Sequence, residues 1–525
     1  MRAPLFPATE TAMGNRLDYT YRRLVNLLGP NRVSRSRFER FLYSHDFAAI
    51  PKLASFQFKF EPDFVVLPRT TEEVVRLVQF EGEHLLPLVP RGGGTGLYGG
   101  SVPNRGGVLV DFRKMNRVIK VDPQARTMTV EAGATWQEAY DRAWNAGLFL
   151  PVYPYFSLGS TIGGWIASGG VGIGAYKYGT SRDLLLNLEV VLENGATIQT
   201  ASDKLDLGLS DLNLGPLYWG SEGTLGILTR ATLRLVPRPE EIRPLAYAFP
   251  SVEDAVPALR DLAASPVTPY HVGLMDTSHL EFLKAVRWEA PEPTGIVTIT
   301  LEGPKDECAE GEKVVDALMK ENDGGKLAGD TAKALWEERL YQYPTRRISR
   351  GLVICEAIVP LAKFSDALEQ TRKVQRQMGM EVGIHAALVD ANSVAMYPYF
   401  LDDATSPMPP ARLGFVVKFR KIAMDLGGHP LGVGLFMVFN VPEMHGNAYR
   451  YFRPIKEALD PRERLNPGKM HEIRTRFGFP GLRRVPLMIA PIPLRLLGGL
   501  KRITPGFLGG QDHYRQKYES RGGKR

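Results

Sequence analysis

Apolar positions recur at helical spacing over residues 17–28, 34–42 and 136–146. Residues 86–90, 108–111, 118–121 and 127–132 instead run or alternate apolar, as strands do. Residues 65–68 followed by 71–78 read as a strand and then a helix, with Thr70 or Thr71 as a cap ahead of Glu73. A Glu193-Asn194-Gly195 turn joins 188–192 to Ile198. The first half is therefore mixed α and β. From Pro244 the pattern becomes repeated strand and helix units at 246–249, 252–264, 296–301, 307–320, 352–358 and 361–378, which predicts a separate α+β lobe. Pro237-Arg238-Pro239 is the expected hinge into that lobe and 440–442 the way back. The expected division is a helical segment at 1–55, a first domain at 56–240, a second at 241–440, a return at 441–471 and a tail at 472–525.

The densest chemistry lies in Val89-Pro90-Arg91-Gly92-Gly93-Gly94-Thr95-Gly96-Leu97-Tyr98-Gly99-Gly100, directly after an apolar run. Residues without Cβ let successive N–H groups converge on an anion, and Arg91 and Thr95 add a charge and a hydroxyl. The pattern suits a diphosphate. It matches neither common phosphate loop, because no Gly-Lys-Ser/Thr ending follows and no long helix with a later acid opens from it. A glycine-rich turn between strands is the bland alternative for this segment alone.

Three more segments follow in order: Ser157-Leu158-Gly159-Ser160-Thr161-Ile162-Gly163-Gly164, Ala175-Tyr176-Lys177-Tyr178-Gly179 and Trp219-Gly220-Ser221-Glu222-Gly223-Thr224-Leu225-Gly226-Ile227. In this order the chain resembles the vanillyl-alcohol oxidase and p-cresol methylhydroxylase superfamily, nearest to its glycolate oxidase and D-lactate dehydrogenase branch. The resemblance is strong over 60–240 and returns at 455–469. It implies an α+β protein: a two-part, mixed α/β FAD-binding domain of the p-cresol methylhydroxylase type, with an α+β cap domain over the flavin. Pro90, Arg91, Gly92, Gly93, Gly94, Thr95, Gly96, Gly99 and Gly100 would cradle the diphosphate. Ser157, Thr161, Ile162, Gly163 and Gly164 would lie against the flavin, Gly172, Tyr178 and Gly179 in the next loop, and Glu222, Gly223 and Ile227 toward the adenosine. Covalent members carry a histidine in the glycine loop; here that region reads Gly94-Thr95-Gly96-Leu97-Tyr98, so FAD is expected without a covalent bond.

The resemblance also implies a metal-binding pair of cap motifs, and this chain departs from both. The first reads Gly383-Ile384-His385-Ala386-Ala387-Leu388-Val389-Asp390, with one histidine of two. In the second, Gly427-Gly428-His429-Pro430-Leu431-Gly432, Pro430 stands where the acid should be and Leu431 where the histidine should be. A metal needs three or four donors, so none is expected. For oxidation of an alcohol, His385 or His429 is the candidate base, Arg346 (with Arg347 and Arg350) the candidate carboxylate clamp, and Tyr397 a pocket wall. The expected activity is FAD-dependent dehydrogenation of a CH–OH group, most like a D-2-hydroxy acid such as lactate or glycolate, with electrons passed to a partner protein or a quinone. Two alternatives stay open: an alkyl-glycerone-phosphate-synthase-like enzyme, and a non-catalytic flavoprotein subunit.

At 525 residues, 44% hydrophobic and 23% charged, the chain can bury more than one core. Cys308 and Cys355 are its only cysteines, too few for an iron–sulfur cluster or a disulfide framework. No long apolar leader and no run of eighteen apolar residues is present, which predicts a cytoplasmic protein, at most peripheral to the inner face of a membrane. The net charge of +8 belongs to 472–525, where twelve Lys or Arg face three acids. That basic tail includes 485–494, a proline-broken apolar run, and suits an anionic membrane surface, a partner subunit or the protein's own surface. Nothing resembles a nucleic-acid module.

Overall fold

The computed structural model describes residues 10–48, 58–84, 86–201, 212–286, 292, 294–340, 349, 351–402, 409–435 and 437–471. Helices α1 (Glu10–Leu28), α2 (Arg37–Leu42) and α3 (Thr71–His84) accompany a four-stranded sheet ordered β1 (Val33–Ser34), β2 (Phe64–Val66), β4 (Val108–Asp111), β3 (Leu88–Arg91). Strands β2 and β3 both run parallel to β4, so α3 is the crossover that parallel pairing requires. Strands β2 and β4 are buried throughout, which is why they read as unbroken apolar runs. The second helix starts at Arg37 rather than at residue 34, because Val33 and Ser34 are drawn into pairing with β2.

A second, antiparallel sheet takes the order β5 (Val118–Asp122), β6 (Thr127–Glu131), β10 (Ile227–Arg234), β8 (Leu185–Val191), β9 (Thr197–Gln199), while β7 (Leu148–Phe149) and β11 (Val236–Pro237) pair apart. Helix α4 (Trp136–Asn145) begins where the Thr135 hydroxyl accepts the Glu138 N–H. Helices α5 (Ile162–Ser168), α6 (Ala175–Tyr178) and α7 (Gly215–Tyr218) are short pieces between strands.

Among the described residues the second half forms one nine-stranded antiparallel sheet: β12 (Glu241–Phe249), β13 (His271–Met275), β14 (Gly295–Gly303), β15 (Gly325–Lys326), β16 (Gly351–Ile354), β17 (Ala357–Pro360), β18 (Gly383–Asp390), β19 (Ser393–Asp402) and β20 (His429–Pro430). Its path is β15-β12-β14-β13-β18-β19-β17-β20, with β16 also on β19. The two-residue period of a strand divides the side chains between two faces. Val272, Leu274, Val297, Ile299, Ile384 and Met396 pack under α8 (Val256–Ala264), α10 (Lys305–Glu321), α12 (Phe364–Met378) and α13 (Pro409–Asp425). The alternate residues, among them Tyr397 and Tyr399, face the first half of the chain, and α9 (Thr277–Ala285) and α11 (Gly329–Glu337) flank that side.

Residues 352–358 are not one strand as their apolar run predicts. The chain leaves the ladder at Cys355 and Glu356, opposite Pro398, which has no N–H to give; the Cys355 N–H still reaches the Pro398 carbonyl at 2.9 Å. The closing segment rejoins the first sheet. Leu88 donates to the Arg464 carbonyl and accepts from the Asn466 N–H, both at 2.8 Å. The buried Lys456 ammonium bonds the Thr224 carbonyl at 2.5 Å, the Leu465 carbonyl at 2.9 Å and the Asp460 carboxylate.

Candidate functional site

A cavity lies between the glycine loop and the face of the large sheet that carries Tyr397; the space within it, open mouth included, is about 1,510 Å³. One wall comes from Pro90 to Gly96 and from Gly100. A Cβ at Gly93 would sit 1.8 Å from the Gly159 carbonyl oxygen, so only glycine permits these two loops to touch. Gly94 has φ +67°, the left-handed turn that lifts the loop's N–H groups. Arg91 closes the end: its Nη1 donates to the His45 carbonyl at 2.8 Å, its guanidinium lies 5.3 Å from the Tyr43 ring centre, and Asp46 and Asp111 offset part of the burial that pushes it down. Thr95 and Ser160 hydroxyls meet at 2.9 Å, and Thr161 caps α5 from the same wall.

At the far end Glu222 sits at φ +52°, a conformation uncommon outside glycine and worth its cost only where the turn matters. Its Oε1 accepts the Val433 and Gly434 N–H groups at 3.1 and 2.5 Å, tying the second half of the chain to the cradle. Burial pushes this carboxyl up, while the backbone N–H bonds and Lys469 pull it down. Its buried Oε2 has no hydrogen-bond partner among the described residues and belongs to the cavity wall. Lys469, buried behind it with Asp46 near, is pushed down to about 8 by burial. A glycine cradle that no Cβ could share, an arginine and a carboxylate with an open oxygen fit the diphosphate and ribose hydroxyls of FAD.

The opposite wall is made by Tyr155, Glu356, Tyr397 and Leu431. Behind it lies a second, smaller cavity lined by His271, His279, His385, Thr298, Thr300 and Arg339. The His385 ring is 5.5 Å from that of Tyr155, 5.7 Å from that of Tyr397 and 6.0 Å from that of His279. The Nδ1 of His279 bonds the Tyr399 hydroxyl at 2.7 Å. Burial drives all three imidazoles down, His271 and His279 to about 3, with His271 and His279 adding to the fall of His385, so the neutral form is favoured across the cluster. Arg339 donates to the Tyr153 hydroxyl at 2.9 Å and the Trp336 carbonyl at 2.8 Å and lies over the Trp336 ring.

Of the residues expected from sequence, Pro90 to Gly96, Gly100, Thr161, Gly163, Gly164, Glu222, Gly223 and Tyr397 line the large cavity, and His385 lines the smaller one. Others stand off both walls. Gly99 is in the glycine loop but not on its cavity side, Ile162 and Ile227 are fully buried in the hydrophobic cores, and Ser157 donates to Gln137 at 2.9 Å. Gly172 packs on the Tyr153 carbonyl and Gly179 on Asp183, both within the first half, while Tyr178 donates to Glu302 of the second half at 2.6 Å; none of the three lines the cavity. His429 is exposed on β20, its ring turned onto the Pro430 carbonyl, and so is no base for this cavity. Arg346, Arg347, Arg350 and the basic tail lie outside the described residues. Sequence reasoning missed Arg339, Glu356, His271 and His279. No group of three His, Cys, Asp or Glu among the described residues is arranged to hold a metal ion, and no described helix is long and apolar enough to cross a membrane.

Comparison with known proteins follows the same division. Residues 62–201 match the FAD binding domain family and residues 238–470 the C-terminal domain of FAD linked oxidases. The chain is 29% identical over 462 residues to the glycolate oxidase subunit GlcD of Bacillus subtilis, covering 85% of this chain and 96% of that one. It is 30% identical over 412 residues to a D-lactate dehydrogenase of Archaeoglobus fulgidus, covering 77% and 90%. Among solved structures, p-cresol methylhydroxylase with substrate bound superposes with TM-score 0.76 at 19% identity, over 88% of this chain and 97% of that one, which is a likeness of fold.

Proposed function

Since the chain belongs to the FAD-linked oxidase family and is an FAD-dependent oxidoreductase, we propose that it dehydrogenates the CH–OH group of a D-2-hydroxy acid such as lactate or glycolate and passes the electrons to a partner protein or a quinone. We also propose the domain limits 56–240, 241–440 and 441–471, and FAD held without a covalent bond. Bound FAD would accept the hydride; the chain's residues do the rest. The backbone and Arg91 hold the diphosphate, Glu222 the ribose, and the tyrosine wall limits water at the reacting carbon.

The observation that supports the substrate class is a guanidinium, that of Arg339, lining the smaller cavity behind the wall that Tyr155 and Tyr397 help to form. That guanidinium would be the partner of the substrate carboxylate, and the imidazoles beside it, which burial drives down, offer hydrogen bonds without competing charge. His385 backs the tyrosine wall from the smaller cavity, its ring 5.7 Å from that of Tyr397. Anaerobic addition of D- and L-2-hydroxy acids to the purified holoenzyme should bleach the flavin bands with one enantiomer. Retained flavin that no hydroxy acid bleaches would reject the substrate class.

A further inference from the structure

Oxidising an alcohol by hydride removal needs a proton acceptor for the hydroxyl, and the wall nearest the tyrosines holds few. Leu431 is apolar. Tyr98, Tyr155 and Tyr397 bring phenol hydroxyls, poorer proton acceptors than a carboxylate. His385 lies behind the tyrosine pair, and burial with two more imidazoles makes it a poor home for a proton. Glu222 is pinned to the Val433 and Gly434 N–H groups at the cradle end. Glu356 remains.

We propose that Glu356 is the base that takes the substrate's hydroxyl proton, since it is the carboxyl that the break between β16 and β17 presents to the cavity beside Tyr397. Its backbone is fixed from two sides. The preceding Cys355 N–H bonds the Pro398 carbonyl at 2.9 Å, and its own carbonyl accepts the Leu431 N–H at 3.1 Å. The groups around it are Tyr98 from the glycine loop, Tyr397 from β19, the buried Cys355 thiol beside it and the exposed His429 on β20. Among the described residues no cation or backbone N–H holds its charge; burial pushes it up to about 8, with only Tyr98 pulling it back. The same burial that strips His385 of basicity gives it to Glu356. In the step, the substrate O–H bond breaks with its proton moving to a Glu356 carboxylate oxygen. The Cα–H bond breaks with its electron pair leaving as hydride to FAD. A 2-oxo acid remains, oxidised by the two electrons that the flavin gains.

This rests on the hydroxy-acid reading above. The test uses holoenzyme, wild type and E356Q, mixed anaerobically with whichever of D-lactate and glycolate bleaches the wild type. Wild-type flavin reduction should climb with pH to a plateau above about 8. In E356Q it should be about 10²–10⁴-fold slower, with that climb gone and FAD content unchanged. Independently of turnover, infrared difference spectra should show a protonated-carboxyl band that is lost with a midpoint near 8 and is absent in E356Q. E356Q within about threefold of wild type, with the same profile, overturns the proposal alone. If E356Q does not hold FAD, a flat wild-type profile, or no band titrating there, overturns it just as well. A wild type bleached by neither acid overturns the substrate reading and this proposal with it.

Discussion

Replacing Gly93 by alanine tests the cradle at its tightest point. The added Cβ would lie 1.8 Å from the Gly159 carbonyl oxygen and 2.9 Å from its carbon. Real Cβ atoms essentially never come within 3.0 Å of such a neighbour, so one loop must retreat by over an ångström. The Gly159 side is the stiffer: Gly159 and Ser160 N–H groups both bond the Phe156 carbonyl, at 3.0 and 2.8 Å, and the Ser160 carbonyl accepts the Trp136 N–H at 3.0 Å. The glycine loop therefore moves, and its N–H groups leave the diphosphate. A hydrogen bond to a charged group contributes about 1.5–3 kcal/mol, so losing one or two weakens FAD binding by about 2–4 kcal/mol, or roughly 30- to 1,000-fold in Kd. Gly159→Ala is the matched control. Its Cβ meets only the Thr95 methyl at 3.3 Å, a contact that a side chain can relieve. Titrating apoprotein with FAD and following fluorescence quenching gives both constants. G93A binding FAD within about threefold of wild type, or G159A weakening it as much as G93A does, would refute the close-approach argument.

Lys456→Met leaves Asp460 buried without its cation, and should cost about 3–5 kcal/mol in urea unfolding; Arg453→Ala, which removes an exposed pair with Glu457, should cost about 0.5 kcal/mol or less. Lys469, held down to about 8 against an ordinary 10.5, binds fewer protons folded than unfolded between those values, so stability should rise with pH across that window. Comparing the thermal midpoints of wild type and Lys469→Met at pH values of about 7.5 and 10 reads this out, because the variant loses the rise. Arg339→Lys exchanges a planar fork already bonded to Tyr153 and Trp336 for a point charge, and should raise KM for the hydroxy acid about 10- to 100-fold with a smaller change in kcat; steady-state kinetics with an artificial acceptor decide it.

The cradle was legible because its constraint is local. Close backbone approach demands residues without Cβ, and these announce themselves in sequence wherever the partner lies. The fold class followed from strand and helix periods together with ordered glycine motifs. What failed was convergence. His271, His279 and His385 come from β13, α9 and β18, and only the pairing of β13 with β18 brings them together. Arg339 follows two glutamates at a helix end and looks like part of a solvated face. Glu356 carried a signal that periodicity obscured: a charge inside the run Leu352-Val353-Ile354-Cys355-Glu356-Ala357-Ile358 has no place in a buried strand. The reason it is tolerated is Pro398, far along the chain on the neighbouring strand. Tyr178 and Gly179 erred the other way, because a family motif can persist for packing as well as for ligand contact.

The two ends of the cavity solve opposite electrostatic problems. The cradle must hold a dianionic diphosphate that no covalent bond retains, and it gathers Arg91 and Lys469 with Asp46 and Glu222 as counter-charges. On the proposed reading the other end lets a hydride leave carbon, a transfer that fixed charge nearby would bias strongly in a site of low dielectric. There the burial that is a liability for charge becomes useful. It drives three imidazoles down and leaves Arg339 as the charge next to them, while it pushes the Glu356 carboxyl up to about 8. One sheet performs this separation: the face that supplies His271, His385 and Tyr397 is covered by Tyr155 from the first half of the chain, and the opposite face is an apolar core. A charge introduced on the flavin-facing side of β13, β18 or β19 therefore disturbs the reaction more than one introduced at the cradle, where counter-charges already stand.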